Sequence, residues 1–295
     1  MSQKQAKILG VGVNSTSKTK VLSFVRSNVV SFRKGKLLKP VFIATPNPEM
    51  VVLAQKELSF ASALNSSDIA VPDGVGLAQS EKFLSLPAPK NILLRLPVLL
   101  AQGFWVGANT ILFSGKNFNL KTIKGRELFL DIVKLANKKK WKVFLLGGEG
   151  GVAEKTKEVL KRSFKRIVFE SFEGPFLTKN ATPVTEVDRR KQKDTLEKIT
   201  KFSPDLLFVA FGAPKQERWV AKHIDGIKAG VVMVVGGTFN YISGERPAPP
   251  SWMEKIGTEW VWRLLTEPKR AGRILTAFPI LPLKVFWGKL VKNAS

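Results

Sequence analysis

Short apolar runs alternate with amphipathic stretches from one end of the chain to the other, the pattern of strands and helices taking turns in a parallel sheet. The runs cover residues 8–13, 41–45, 69–71, 143–146, 167–172, 206–211 and 231–235. Between the first two, Val21, Leu22, Val25, Val29 and Phe32 recur at helical spacing behind a Ser/Thr cluster able to cap a helix start. Similar spacing predicts helices over 49–59, 125–139, 152–164, 187–201 and 216–223, each closing a right-handed crossover. The predicted architecture is α/β: a Rossmann-like parallel sheet with helices on its flanks.

The alternation stops at Gly244-Glu245-Arg246-Pro247-Ala248-Pro249-Pro250-Ser251, and beyond it the chain turns rich in tryptophan and arginine. This divides the chain into an α/β core, 1–245, and a basic C-terminal helical appendage, 246–295, expected to associate with a membrane. In the appendage Trp252, Ile256, Trp260 and Leu264 fall on one helical stripe. Residues 274–287, apolar apart from Lys284 and flanked by basic residues, suit an interfacial anchor. The core itself carries an apolar insertion at about 85–121, in which residues 96–115 are free of charge for 20 positions, nominally enough helix for a ~30 Å bilayer core. Pro97, Gln102, Gly103, Gly107 and Asn109 interrupt it. The cost of polar groups in lipid therefore favours a buried or membrane-dipping loop over a crossing.

Composition confirms a folded chain, with 44% hydrophobic and 24% charged residues in 295. Charge adds more. The formal net charge is +25, the first acidic residue is Glu49, and from Pro268 to the end there are six Lys/Arg and no Asp/Glu. Nucleic-acid phosphates, anionic lipid head groups and diphosphate substrates all suit such a field. The absence of cysteine excludes disulfides, thiolate nucleophiles and cysteine zinc sites. The first residues lack the apolar stretch and cleavage site of a signal peptide, which makes the cytoplasm the default location.

In open α/β sheets the ligand site lies beyond the carboxyl ends of the strands, and four polar clusters follow apolar runs there. Asp73, in Pro72-Asp73-Gly74, is placed either to take a proton from a sugar hydroxyl or to cap a helix beginning near Gly74. Thr45 and Asn47, stiffened by Pro46 and Pro48, either orient a substrate or form a turn and helix cap. Gly147-Gly148-Glu149-Gly150-Gly151 opens a helix and either admits a phosphate to backbone N–H groups or is a plain tight turn. Lys215 and Gln216, after Gly212-Ala213-Pro214, either reach an anionic or sugar ligand or cap the helix surface. Gly236 and Gly237 end the last run before Thr238, Phe239 and Asn240.

Several chemistries lose support. There is no Asp-x-Asp pair to hold a sugar nucleotide through a divalent metal, and the single His223 lies inside a predicted helix. Neither a Gly-x-Ser-x-Gly elbow nor a P-loop is present, and the dinucleotide fingerprint of a dehydrogenase is missing. A basic nucleic-acid-binding protein is the rival class, since the charge and seven tryptophans would suit base stacking. The tryptophans, however, sit largely at helical core spacing in the appendage, and no nucleic-acid motif appears.

Taken in order, Thr45-Pro46-Asn47, Pro72-Asp73-Gly74, Phe144-Leu145-Leu146-Gly147-Gly148 with Gly151-Val152-Ala153-Glu154, Pro204-Asp205-Leu206-Leu207 with Gly212 to Glu217, Val235-Gly236-Gly237, and Glu259-Trp260-Val261-Trp262-Arg263 with Glu267-Pro268-Lys269-Arg270 resemble the WecG/TagA/CpsF glycosyltransferases, glycosyltransferase family 26, over about residues 7–273. The resemblance implies inverting, metal-independent transfer, without a cofactor, of an N-acetylhexosamine-type sugar. The donor it implies is UDP-N-acetylmannosamine or its uronic acid; the acceptor is undecaprenyl-diphosphate-linked N-acetylglucosamine. It implies Asp73 as general base, Thr45 and Asn47 as positioning groups, Gln216 as a sugar contact, and Arg263, Arg270 and Arg273 as partners of the diphosphate. It also implies work at the inner face of the cell membrane, on an anionic lipid surface and without nucleic acid; a homo-oligomer competing with the membrane for the appendage is a further expectation. The chain departs from the pattern in three places. Thr122-Ile123-Lys124-Gly125-Arg126-Glu127-Leu128 stands for Arg-Val-x-Gly-x-Asp-Leu, Asn240 stands where aspartate is common, and the segment from about 84 to 121 is longer.

Overall fold

The computed structural model describes residues 5–113, 118–247, 249–250, 253, 259–266 and 271–292, with the backbone alone at 92, 111, 113, 259, 260, 263, 273 and 292. The first apolar run departs from expectation. It folds into an antiparallel hairpin of Gln5–Ile8 (β1) and Val11–Asn14 (β2), outside the main sheet. Leu9 and Gly10 both take positive φ, 45° and 86°, and this two-residue reversal ends β1 where a continuous strand was expected. The hairpin is tied down by Asn65, which accepts from Gly12 N at 2.9 Å and donates to Gly10 O at 3.0 Å.

The other six runs form one parallel sheet: Val41–Ala44 (β3), Ile69–Ala70 (β4), Lys142–Gly147 (β5), Val168–Phe172 (β6), Leu206–Ala210 (β7) and Val231–Val234 (β8), in the spatial order β4-β3-β8-β7-β5-β6. Side chains alternate between two cores, as the pleat requires. Phe42, Phe144, Leu146, Leu207, Val209, Val232 and Val234 enter one; Ile43, Val143, Leu145, Leu206, Phe208, Val231 and Met233 enter the other. The four central strands are buried on both faces, which is why they read as unbroken apolar runs rather than alternating ones.

Helices Lys18–Arg33 (α1), Pro48–Ala54 (α2), Leu58–Asn65 (α3), Val75–Ser85 (α4), Ile92–Phe113 (α5), Gly125–Lys139 (α6), Val152–Ser163 (α7), Glu186–Phe202 (α8), Lys215–His223 (α9) and Thr238–Ile242 (α10) complete a three-layer core. One face carries α1, α6, α7 and α10; the other carries the hairpin with α2, α3, α4, α8 and α9. The expected helix 49–59 is two helices broken at Gln55 to Glu57, which turns the chain so that Phe60 and Leu64 reach the core. Residues 96–113 belong to the helix α5 rather than to a loop, because Leu99 and Val106 find an apolar seat among the core residues of that second face. Among the described residues no helix is long and apolar enough to cross a membrane.

After residue 245, Glu259–Thr266 (α11), Ala271–Leu275 (α12) and Leu281–Lys292 (α13) are helical, with a kink at Phe278 before α13, whose Leu281 and Val285 join the core. Trp252 and Ile256 of the expected stripe lie outside the described residues, and at Trp260 only the backbone is described.

A bidentate pair fastens α1 to the amino ends of β5 and β7, at the end of the sheet opposite the candidate site. Arg33 donates from Nε and Nη2 to the Asp205 carboxylate at 2.7 and 2.6 Å, and Asp205 also accepts from Lys142 N at 2.7 Å. Asp205→Ala should cost roughly 2–4 kcal/mol, since it removes two charge-assisted bonds and strands a backbone N–H of β5. Urea unfolding measures this; a loss below about 0.5 kcal/mol, the range of ordinary surface substitutions, would contradict the assignment.

Candidate active site

The carboxyl ends of four adjacent strands, β4, β3, β8 and β7, open into a polar cavity of about 140 Å³. Backbone bonds zip its loops together. Asp73 N donates to Pro46 O at 2.8 Å, and Ile123 N donates to Pro72 O at 2.9 Å, so the β3 loop, the β4 loop and the entry to α6 are held in one stack. The β7 and β8 loops are held by a side chain instead: Gln216 Oε1 accepts from Gly212 N at 3.1 Å and from Gly236 N at 3.0 Å.

Asp73 does not cap α4. That helix starts at Gly74 with no side-chain cap, while Asp73 Oδ2 accepts from Gly125 N, the first residue of α6, at 3.1 Å. The carboxylate thus sits at the N-terminus of α6. Thr45 reaches the same point from β3. A Cβ built on Gly125 would lie 3.2 Å from Asp73 Oδ2 and 3.5 Å from Thr45 Oγ1. Glycine at 125 therefore keeps open the space in which the carboxyl and the hydroxyl converge. The Thr45 hydroxyl is directed toward Val234 O at 3.4 Å. Both side chains are half-buried.

Asn47 meets the capping expectation and is also placed at the cavity. It caps α2, accepting from Met50 N at 3.0 Å, and it lines the cavity. Gln216 also lines the cavity, 3% exposed, with its Nε2 donating to Glu217 Oε1 at 2.7 Å. Its amide oxygen is committed to the two glycine loops, so Gln216 shapes the wall. Gly212, Gly236 and Gly237 also line the cavity.

Lys215, Gly147 and Gly148 are not brought to this cavity. Lys215 and Gly148 line a separate narrow cleft with Glu149 and Glu173, where Lys215 Nζ lies 3.9 Å from Glu149 Oε1. Gly147 answers a packing demand, because a Cβ there would meet the Ala210 carbonyl carbon at 2.8 Å. Arg270 lies outside the described residues, as do the side chains of Arg263 and Arg273.

The cavity also gathers residues that the strand-end rule did not single out: Lys124, Arg126, Tyr241 and Arg246. Arg126 lies over the Tyr241 ring at 5.2 Å, a cation–π contact that restricts the guanidinium. A Cβ on Gly237 would lie 4.0 Å from Arg246 Nη1, which places that guanidinium against the β8 loop. Three cations thus face two carboxylates, Asp73 and Glu49, in one cavity. The stretch 122–128 lacks the arginine of the family pattern at 122 yet delivers Lys124 and Arg126 to the cavity. Among the described residues no group of three His, Cys, Asp or Glu could hold a metal ion.

A family model described as the glycosyl transferase WecG/TagA/CpsF family matches residues 6–95 and 98–295. The chain is also similar to the N-acetylglucosaminyldiphosphoundecaprenol N-acetyl-beta-D-mannosaminyltransferases of Staphylococcus aureus strains NCTC 8325 / PS 47 and COL. Each is 27% identical over 278 residues, covering 94% of this chain and 91% of the relative.

Proposed function

The chain belongs to the WecG/TagA/CpsF family of glycosyl transferases, and from that premise we propose that it moves an N-acetylhexosamine-type sugar, N-acetylmannosamine or its uronic acid, from UDP to undecaprenyl-diphosphate-linked N-acetylglucosamine. The observation that carries this reading is the convergence of Asp73 and Thr45 over the first turn of α6, inside a cavity that also presents Lys124, Arg126 and Arg246. Asp73 takes the proton from the acceptor hydroxyl as its oxygen attacks the anomeric carbon; the bond from that carbon to the β-phosphate oxygen breaks and UDP leaves. Thr45 and Asn47 orient the reacting sugar. Fixed guanidinium and ammonium groups meet the charge that develops on the departing diphosphate, the work a metal does in other transferases. Arg263, Arg270 and Arg273 of the appendage are proposed to add to that charge.

One displacement at the anomeric carbon inverts its configuration. The acceptor named for the relatives is a polyprenyl lipid, which supports peripheral work at the inner face of the cell membrane. If the cations replace a metal, transfer in excess chelator should stay within about twofold of its untreated rate, and NMR of the product should show an anomeric configuration opposite to the donor's. Loss of transfer in chelator with rescue by a divalent ion, or retention of configuration, would overturn this mechanism.

A further inference from the structure

Helix α5 is amphipathic the wrong way round for a helix facing water. Its polar residues point inward. Arg95 is fully buried, donating from Nε to Pro89 O at 2.8 Å and from Nη1 to Leu290 O at 3.0 Å on α13. One α-helical stripe further, Gln102 donates to Pro87 O at 2.7 Å and accepts from Lys289 Nζ at 3.0 Å. At the next repeat the Asn109 amide oxygen is buried, and Thr110 accepts from Gln79 at 2.9 Å. The outward face is apolar: Leu93 and Phe104 are 80% and 81% exposed, and Leu96, Leu100 and Leu112 are exposed beside them.

Helix α13 repeats the inversion. Leu281, Val285 and Lys289 are buried at four-residue spacing, while Leu283, Trp287 and Val291, at the same spacing, are exposed. The Lys289 ammonium is held by Phe83 O and Gln102 Oε1, joining α4, α5 and α13, and burial pushes its pKa down to about 8. Buried polar groups thus lock the two helices together, and both present apolar side chains outward. Contiguous exposed apolar surface of this kind marks an interaction site.

The charge around these helices selects the partner. From Lys82 to Arg126 the sequence has seven Lys/Arg and no Asp/Glu, and from Pro268 to the end six Lys/Arg and no Asp/Glu; setting aside Arg95 and Lys289, which are buried, and Lys124 and Arg126, which line the candidate site, nine cations and no acid remain. The fold brings α5 and α13, the helices of these two acid-free segments, side by side. A second copy of the chain docking through the same face would set two basic, acid-free surfaces against each other, a like-charge juxtaposition that opposes association. An anionic bilayer satisfies both demands, taking the apolar side chains below its head groups and pairing the flanking cations with lipid phosphates.

We infer that α5 and α13 form a two-helix docking surface that lies in the plane of an anionic membrane, with α5 contributing the larger share of the apolar contact. The surface adjoins the candidate site: a Cβ on Gly76, in α4, would lie 3.1 Å from Pro48 of α2 and 3.8 Å from Leu281 of α13, so α13 is rooted beside the helices that follow Asn47 and Asp73. Docking there holds the cavity near the bilayer surface. That consequence rests on the lipid-linked acceptor proposed above; the docking itself does not.

Sedimentation of the full chain with vesicles of phosphatidylglycerol and phosphatidylcholine, against vesicles of phosphatidylcholine alone, tests it. The wild-type chain should pellet with the anionic vesicles, and Leu100→Glu/Phe104→Glu should weaken that binding by at least about tenfold. Trp287→Glu should weaken it by a smaller factor. All of these side chains are exposed, so circular dichroism should show the fold retained. With a short, water-soluble acceptor the double variant should transfer sugar at the wild-type rate, and with acceptor embedded in vesicles it should fail. Vesicle binding by a wild-type chain that transfers to no acceptor would leave the docking surface standing and overturn the enzymatic reading instead. Binding unchanged in the double variant, equal binding to neutral vesicles, or a self-associated wild type made monomeric by the substitutions without any vesicle uptake would each overturn the inference.

Discussion

Asp73→Asn is expected to lower the transfer rate by about 10²–10⁴-fold, the range for loss of a positioned general base, with little change in stability. The substitution separates the two things the side chain does. An asparagine oxygen can still accept from Gly125 N, which Asp73 Oδ2 does at 3.1 Å, so the junction between the β4 loop and α6 survives. What it cannot do is take a proton. The loss should fall on kcat, because nothing that binds the donor diphosphate has been touched. Asp73→Ala should lose the same rate and also destabilise the chain, since it leaves the Gly125 N–H without its acceptor. Steady-state kinetics with urea unfolding on both variants makes the comparison. An asparagine variant within about threefold of wild type would remove Asp73 from the base role.

The second large effect is expected at Arg126. Its guanidinium lies over Tyr241 at 5.2 Å and faces the cavity alongside Lys124 and Arg246. A cation held by a ring needs little reorganisation when charge develops on a leaving diphosphate. Arg126→Ala should therefore lower kcat by about 10²–10³-fold, as removal of a preorganised donor does, and weaken UDP binding as well. Arg126→Lys keeps the charge but loses the planar stacking and forked donors, and should fall between the two. Single-turnover rates and UDP titration measure both parts. If Arg126→Ala leaves UDP affinity and rate unchanged, the diphosphate does not lie against α6.

The strand-end rule found Thr45, Asn47, Asp73, Gln216 and the glycines at 212, 236 and 237 because each lies at the end of an apolar run or within five residues after it. Arg126, Tyr241 and Arg246 carry no such mark. They reach the cavity from the first turns of α6 and from α10 and its exit, so only tertiary packing brings them to Asp73. For Gln216 the position was legible but the task was not, because its clamp on Gly212 and Gly236 depends on two loops distant from each other in sequence. The hairpin at residues 5–14 was hidden for a local reason. Its turn is Leu9-Gly10, without the Asn or Asp that usually announces such a reversal, so the apolar run read as one strand. In α5, Gln102 and Asn109 interrupt an apolar stretch in the sequence, and in the helix they turn inward on the side of Arg95, Leu99 and Val106, where Gln102 bonds to Pro87 O and Lys289.

The most direct test of the central claim is to incubate the chain with UDP-N-acetylmannosamine and a lipid-diphosphate N-acetylglucosamine acceptor, counting UDP released and weighing the acceptor by mass spectrometry. The account predicts UDP release that requires the acceptor, matched one for one by acceptor molecules heavier by a single N-acetylhexosamine residue. UDP release at the same rate without acceptor, or no gain in acceptor mass with either N-acetylmannosamine or its uronic acid as donor sugar, would contradict it.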